Sequence, residues 1–351
     1  MDRFSAKHVF SAFFTITGIG LLLFGFSSNL YILIFARFIT GFGGSVALMA
    51  AFKVNAEVFP KNLATVNGIT MFMGGVGGFI AGKPLQFFFS HGGWHLCNIV
   101  LGILVLATVL LTLVLDTRIS PPVNENNKSF LMQLSEMKMI LAKRDFILLC
   151  FLAVVPFGVL IAMFTFWTSE WLVHVNSFSI SAVAICISLM AIADFVGPLF
   201  WGVAADFFNK KGIRFEATIF CGIVICFGVQ LLILLNITNT LGNYILWFCF
   251  IFFMQAGSLA FACSVSIFKS EYIGRAVTTL EILMFAAAFI IQLSFGYIVK
   301  MFNYLGVPMQ YSYSYTFEFF LIVELLFCLL FIIITALISK KNFTFAWTVL
   351  V

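Results

Sequence analysis

Long apolar runs separated by short polar turns are the feature of this sequence that most restricts its fold. Runs of roughly 18 or more apolar residues recur from one end of the chain to the other, and a helix of that length crosses a bilayer. Backbone groups find no water in lipid, so each run is expected to be a helix with internal hydrogen bonds. The sequence therefore predicts an all-α integral membrane protein.

Ten spans are predicted, divided four and six by one long polar segment. The approximate spans are 9–27, 30–52, 64–89, 94–115, 146–172, 179–204, 216–236, 243–267, 275–301 and 315–338. The polar segment, 116–144, contains a charged amphipathic piece around Leu131 to Leu141. We therefore expect an N-terminal bundle of four spans at 1–115, a central loop at 116–144 and a six-helix bundle at 145–351.

Composition supports lipid as the surrounding medium. Hydrophobic residues make up 62% of the chain and charged residues only 9%, against about 25% charged residues in a typical soluble domain. The net charge is +5, but 16 of the 19 Lys and Arg residues lie on alternate connections between or beside spans. This distribution argues against nucleic-acid binding. The positive-inside rule places these connections, the central loop and the C-terminus in the cytoplasm.

The sequence offers no pattern for a metal, a cofactor or an enzyme. All eight cysteines fall inside apolar runs, without CxxC spacing, and are interpreted as small core residues. The four histidines share no metal-ligand spacing, so neither a metal site nor a cofactor is predicted. Paired catalytic residues, HExxH and nucleophile motifs are also missing from the sequence, so an enzyme is not expected.

An internal repeat relates the two halves of the chain. The segment Asp2–Lys7 precedes the first span, and the segment Gly202–Lys211 aligns with it 204 residues later. Met71, followed by a phenylalanine and four nearby glycines, recurs 213 residues later as Met284, followed by a phenylalanine and three alanines. Two matches at nearly one offset indicate two related halves, a construction found in many transporters.

The repeated segment resembles a loop motif of the major facilitator superfamily. Its glycine, aspartate and basic cluster are here Gly202, Asp206, Lys210 and Lys211, as between the eighth and ninth helices of that family. Asp2 and Arg3 resemble the tail of the same motif between the second and third helices. Arg37–Gly44 is similar to the fourth-helix motif, and Gly274–Gly296 to the start of the eleventh helix. The resemblance implies a two-bundle fold in which the ten spans are helices three to twelve and the first two are missing.

The same resemblance implies a function. It suggests transport of a small polar solute by alternating access around a site near the membrane midplane. We expect an organic anion, a sugar acid, or an amino-acid-like or peptide-like solute, moved by proton symport through a monomer in the lipid bilayer. High usage of Phe, Ile, Lys and Asn favours an AT-rich bacterial genome, and hence a bacterial inner membrane. The alternative is a non-transporting relative, either a sensor or a truncated remnant.

Charged side chains at membrane depth are candidate site residues, because each costs about 2.5 to 3.5 kcal/mol on insertion scales. Arg37 matches the fourth-helix arginine, for which the resemblance implies proton transfer or organisation of the cavity; the alternative is hydrogen bonding to helix carbonyls. Asp194 is a candidate proton site or a member of a structural ion pair. Lys83 is a weaker candidate, because its place near a helix end allows it to snorkel to the interface.

Polar and aromatic residues complete the set of candidates. Glu281 and Gln292 fall on one helical stripe with Thr278, Phe285 and Ala288, which favours a substrate or proton site; the alternative pairs Glu281 with Arg275. Gln255 offers hydrogen bonds to a ligand or to a neighbouring helix. Trp167 and Trp171 are interpreted as aromatic-belt residues, with a gate or substrate stacking as the alternative. The glycines at 74, 75, 77 and 78 predict close helix packing.

Overall fold

The structure is a computed structural model that describes residues 6–47, 50–51, 54, 58, 63–81, 83–114, 130–236, 239–268 and 272–341. Helices make up nearly all of these residues, and none of them forms a strand. The predicted motif residues Asp2 and Arg3, the first part of the central loop and the side chain of Lys83 lie outside the described residues.

The chain divides into two compact units, Met1–Asn127 and Lys128–Val351. The division falls inside the polar segment 116–144, while the exact domain boundaries stay a prediction. The described helices of the first unit are α1 (Ala6–Phe26), α2 (Leu30–Gly44), α3 (Leu63–Ile80) and α4 (Lys83–Val114). Helix α1 packs against both α2 and α4.

The second unit contains the longer helices. Its described helices are α5 (Phe130–Ala142), α6 (Arg144–His174), α7 (Ile180–Lys210), α8 (Phe215–Leu235), α9 (Thr240–Met254), α10 (Leu259–Ile267), α11 (Ile273–Tyr304) and α12 (Met309–Lys341). Helix α6 contains a π-helical turn at Met163–Trp167. A 3-10 turn at Gln255–Ser258 joins α9 to α10.

Eight of the described helical segments are long and apolar enough to span a membrane, judged by length and composition. They correspond to the first predicted span and to the fourth through tenth. Helix α2, at the second predicted span, is a shorter apolar helix within the described residues. The third predicted span, 64–89, is interrupted after Ile80, and its last part belongs to α4. The all-α membrane fold is confirmed.

Helix α4 bends where two spans were predicted to meet. Gly93 has a φ of 68° and a ψ of 172°, which are not helical values and which glycine adopts without a steric cost. The residues before Gly93 form the end of the third predicted span, and those after it form the fourth. The backbone thus breaks at Gly93 between two helices, so the predicted division between the spans 64–89 and 94–115 is present in the structure.

Close packing in the first unit occurs at other glycines than those predicted. An added Cβ at Gly20 would lie 2.5 Å from Oγ1 of Thr40, so α1 and α2 touch through this glycine. An added Cβ at Gly74 or Gly77 would meet no described atom within 4 Å. The prediction of close packing is wrong for these two glycines within the described part of the first unit.

The amphipathic piece of the central segment is helix α5, which packs against other helices of the second unit. Ile140 is fully buried in a cluster with Phe146. Glu136 forms an ion pair with Arg275, which stands near the start of α11. Arg275 therefore has a partner other than the Glu281 that the sequence offered as one alternative.

Candidate functional site

Asp194 and Gln255 meet inside the second unit. Asp194 lies in the middle of α7 and is half-buried, whereas Gln255 begins the 3-10 turn and is buried. The Gln255 amide Nε2 donates a hydrogen bond to Oδ1 of Asp194. Two residues that the sequence offered separately thus form one acid–amide pair, and its carboxyl group has a neutral partner.

One face of α7 holds this pair in place. Gly197 and Trp201 follow Asp194 by three and seven residues, which puts all three on the same side of the helix. An added Cβ at Gly197 would lie 2.7 Å from Cβ of Gln255, so only glycine lets α7 approach so closely. The Trp201 indole Nε1 donates to the carbonyl of Phe252 at 2.8 Å. Helix α7 is therefore hydrogen-bonded to the end of α9, just before Gln255.

The 3-10 turn is itself packed between helices. An added Cβ at Gly222 of α8 would overlap the Cβ of Ala256, and Gln255, Ala256 and Gly257 are all buried. A change from α-helical to 3-10 geometry alters which carbonyls are bonded, and such changes often mark functional positions. The turn places Gln255 against Asp194 instead of leaving it on the regular face of α9.

Glu281 has no such partner. It is half-buried in the third turn of α11 and, within the described part of the chain, forms neither a hydrogen bond nor an ion pair. The predicted stripe is not uniform, because Thr278 and Phe285 are exposed while Ala288 is only 3% exposed. A carboxyl group at membrane depth without a cation nearby has the chemistry to take up and release a proton.

Gln292 is linked to Trp167 through its backbone. The indole Nε1 of Trp167 donates to the Gln292 carbonyl at 3.1 Å, and its ring stacks on Phe295 with centroids 4.6 Å apart. Trp167 ends the π-helical turn and is half-buried. The structure thus brings Trp167 and Gln292 into contact between α6 and α11. The side chain of Gln292 itself is half-buried.

Trp171 lies in the core of the second unit. It is 0% exposed and packs edge-on against Phe317 and Trp247. In this conformation the ring is enclosed by the second unit and does not lie on its surface, where the aromatic-belt interpretation places it. A gating or substrate-stacking role of Trp171 stays a prediction. The π-helical turn that precedes it adds residues per turn and so changes which face of α6 Trp171 occupies, which helical periodicity alone does not reveal.

Arg37 lies in α2 of the first unit and its side chain is exposed. Its guanidinium carbon stands 3.9 Å from the centroid of the Phe24 ring, a cation–π contact. Within the described residues it has no carboxylate partner and no hydrogen bond. The positive charge of Arg37 is thus not neutralised within the described part of its unit.

The motif at Gly202–Lys211 is the end of a helix and not a free loop. Helix α7 continues to Lys210, and Lys211 caps it. Asp206 and Lys210 are exposed, and the Lys211 ammonium lies 4.3 Å from the centroid of Phe207. The following turn contains Gly212, whose φ of 85° suits glycine.

A second acid–amide pair, which the sequence reasoning missed, joins α8 to α12. Gln230 Nε2 donates to Glu324 Oε2 at 2.9 Å, and both side chains are 0% exposed. Glu324 stands in the middle of a long apolar run, so the rule that selected Asp194 and Glu281 applied to it as well. The sequence indicates Glu324 through its position inside an apolar run, whereas nothing in the sequence indicates Gln230 as its partner.

The cavity and metal chemistry of the described residues add no further candidate. A cavity of about 400 Å³ beside α7 and α8 has an apolar lining that includes Phe200, Phe208 and Ile225, and no predicted candidate contributes to it. In the described part of the chain, no group of three or more His, Cys, Asp or Glu residues is placed to hold a metal ion.

A bundle of membrane-length helices with isolated carboxyl groups at membrane depth defines a polytopic helical membrane protein. Its family follows from comparison. The family model described as the Major Facilitator Superfamily matches residues 1–291, and the chain belongs to that family. The family and the fold are those of transporters and not of enzymes.

Curated relatives match parts of the chain. The "Probable galactarate/D-glucarate transporter GudP" of Bacillus subtilis is 25% identical over 245 residues, which cover 60% of this chain and 52% of the relative. The 4-hydroxybenzoate transporter PcaK of Pseudomonas aeruginosa is 33% identical over 117 residues, which cover 31% of this chain and 25% of the relative. The chain thus matches about half of the first relative and a quarter of the second.

Solved structures share the fold. A bacterial homologue of the human lysosomal transporter Spinster, inward-facing and unoccupied, has a TM-score of 0.68 at 16% identity, with coverage of 94% of this chain and 82% of that chain. The Escherichia coli fucose:proton symporter FucP has a TM-score of 0.53 at 13% identity, with coverage of 93% and 85%. At these identities the likeness establishes the fold alone.

Proposed function

We propose that this protein transports a small organic anion by proton-coupled symport and alternating access, as a monomer. Asp194 and Glu281 are the titrating acids in this proposal, and Arg37 is the fixed cation that attracts the anion. The observation that carries it is the state of the two acids: neither has a cationic partner among the described residues. A carboxyl group in that situation changes its protonation readily as its contact with water changes.

The substrate class rests on Arg37 and on the relatives. A guanidinium without a carboxylate partner in the described residues is suited to bind a carboxylate in a two-pronged geometry. The names of the relatives GudP and PcaK refer to galactarate and D-glucarate, and to 4-hydroxybenzoate, all of which are anions of organic acids. Sugar acids and aromatic acids are therefore the substrates to test first, before amino-acid-like or peptide-like solutes.

Location and orientation follow from the charges of the sequence. We place the protein in a bacterial inner membrane, with the segment 116–144 and the C-terminus in the cytoplasm, because the basic residues are on those connections. The motif residues Gly202, Asp206, Lys210 and Lys211 are then on the cytoplasmic side, where they act on gating. Labelling of a cysteine at Lys128 from outside intact cells would contradict this orientation.

The test of the function uses the full chain in proteoliposomes with labelled organic acids and an imposed pH gradient. Glu281→Gln keeps the shape and hydrogen-bonding capacity of the side chain but removes its charge. It is therefore expected to abolish uphill accumulation and to leave counterflow exchange measurable. Arg37→Lys is expected to impair both, because an ammonium does not reproduce the planar fork of a guanidinium.

Glu216→Gln is the matched control, because Glu216 pairs with Arg214 at 2.8 Å, at the start of α8. It is expected to accumulate solute as the wild type does. If Glu281→Gln accumulates solute normally, proton coupling through Glu281 is wrong. If the wild type neither accumulates nor exchanges any of these acids, the non-transporting alternative takes the place of the proposal.

A further inference from the structure

The buried pair of Gln230 and Glu324 has two polar atoms left over. Gln230 Nε2 and Glu324 Oε2 form the one hydrogen bond of the pair. The other atoms of the same two groups, Gln230 Oε1 and Glu324 Oε1, are both buried and have no hydrogen-bond partner among the residues that the structure describes. Both are oxygen atoms, and two acceptors cannot bond to each other unless one of them carries a proton.

We propose that Glu324 is a permanent proton-binding site, a neutral carboxylic acid whose Oε1–H donates to Gln230 Oε1. One proton added to the carboxylate would then close a ring in which the amide and the acid each donate once and accept once. A single bound proton satisfies both of the unpartnered oxygens. This proposal does not depend on which solute the protein transports.

The surroundings of Glu324 favour the neutral acid over a carboxylate. No Lys, Arg or His of the described residues forms an ion pair with it. The titratable neighbours are thiols: Cys226 lies one turn before Gln230 on α8, and Cys328 lies one turn after Glu324 on α12. Both thiols are buried, and a neutral thiol does not balance a negative charge. An ion of this kind in an apolar interior becomes neutral rather than remaining charged.

The position of the pair explains why this proton would be held and not exchanged. Gln230 and Glu324 are 94 residues apart and join α8 to α12 inside the second unit, with both side chains fully buried. Around them lie apolar residues of the two buried clusters, including Phe227 and Leu321 on the neighbouring turns. The bound proton thus completes the hydrogen bonds between two helices, which is a structural role.

The test is infrared difference spectroscopy of the full chain in lipid nanodiscs. Wild type minus Glu324→Gln is expected to show the carbonyl stretch of a protonated carboxylic acid, at higher wavenumber than the amide I band. The band is expected to stay unchanged from neutral to mildly alkaline pH. Gln230→Leu is expected to move the same band to higher wavenumber, because the acid carbonyl then loses the hydrogen bond that it accepts from Nε2.

Thermal melting gives a second readout on the same proteins. Glu324→Gln is expected to melt close to the wild type, since two amides form the same closed pair. Glu324→Leu leaves the Gln230 amide buried without a partner and is expected to lower the melting temperature by about 2 to 10 °C. The double variant Gln230→Leu with Glu324→Leu is expected to regain part of that loss, because no polar group is then left unpaired.

Glu216→Gln is the control for the spectrum, because its carboxylate is paired with Arg214 and no acid band should disappear with it. A wild-type minus Glu324→Gln spectrum without the acid band would overturn the proposal and show an ionised Glu324. An acid band at the same wavenumber in Gln230→Leu would overturn the closed pair. Both outcomes can be read from variants that keep a side chain of similar size, even where Glu324→Leu does not fold.

Discussion

The second unit contains two acid–amide pairs that share their chemistry and differ in their surroundings. Asp194 with Gln255 joins α7 to the 3-10 turn, and its carboxyl group is half-buried. Glu324 with Gln230 joins α12 to α8, and both of its side chains are 0% exposed. In the two proposals above, burial and not the choice of partner separates the role of one pair from that of the other. In those proposals the half-buried carboxyl group exchanges a proton, whereas the fully buried one holds it.

The comparison predicts that the two pairs fail differently. Neutralising Asp194 removes a titrating group and affects transport, in the proposal above. Replacing Glu324 by a neutral residue removes no group that changes its protonation during the transport cycle. It lowers the stability of the protein only where the substitution breaks the hydrogen bonds of the pair.

The largest expected difference is in solute accumulation. Asp194→Asn is expected to lower uphill accumulation by about tenfold for each unit of pH gradient, which is the contribution of one coupled proton. Counterflow exchange is expected to continue. Glu324→Gln is expected to accumulate solute as the wild type does. Labelled uptake into proteoliposomes checks all three, and equal losses in the two variants would remove the distinction between the pairs.

The second largest effect concerns the turn that carries Gln255. Gly222→Ala places a methyl group on the Cβ of Ala256, and overpacking of this kind costs about 1 to 3 kcal/mol. Gly228→Ala on the same helix meets no described atom within 4 Å and is expected to be neutral or to stabilise the helix by about 0.5 to 1 kcal/mol. Thermal melting of both variants checks this, and an equally large loss in Gly228→Ala would mean that helix α8 tolerates no side chain at either position.

A smaller difference is expected between the two glutamines. Gln230→Leu leaves a fully buried acid without its partner, with an expected loss of about 1 to 3 kcal/mol. Gln255→Leu leaves a half-buried acid, which is less completely enclosed, with an expected loss of about 0.5 to 1.5 kcal/mol. The two leucine variants are matched in size and chemistry, and their unfolding can be compared directly. A larger loss in Gln255→Leu would show that the Asp194 pair is the more structural of the two.

The sequence was sufficient for the helical fold and for part of the site. Length and apolarity of the runs predicted the spans, because lipid requires closed backbone hydrogen bonding whatever the side chains do. Asp194 was found because a carboxyl group inside an apolar run is costly. Its pairing with Gln255 was not found, because it depends on a 3-10 turn and on close approach at Gly197. Helical periodicity assumes that each helix is regular.

Glu324 and Trp171 illustrate two different failures. Glu324 met the same criterion as Asp194 but was overlooked, so the sequence contained the information and the selection was incomplete. Trp171 was assigned to the membrane interface because it lies near the end of a span, and the π-helical turn at Met163–Trp167 changes its face. Contacts between helices that are distant along the chain, such as α8 and α12, depend on packing that one sequence does not reveal.

The smallest expected effect is the one on the stability of Glu281→Gln. It tests whether Glu281 resembles the half-buried Asp194 or the fully buried Glu324. Glu281 is half-buried and, among the described residues, has no hydrogen bond or ion pair to lose. Removing its charge is therefore expected to leave the melting temperature unchanged within the error of the measurement, although uphill accumulation is abolished. The matched comparison is Glu136→Gln, which removes the ion-pair partner of Arg275 and is expected to lower the melting temperature. Arg275 lies on α11, as Glu281 does. If Glu281→Gln melts as low as Glu136→Gln, Glu281 stabilises the fold, and its loss of accumulation would follow from damage to the protein and not from the loss of a titrating group.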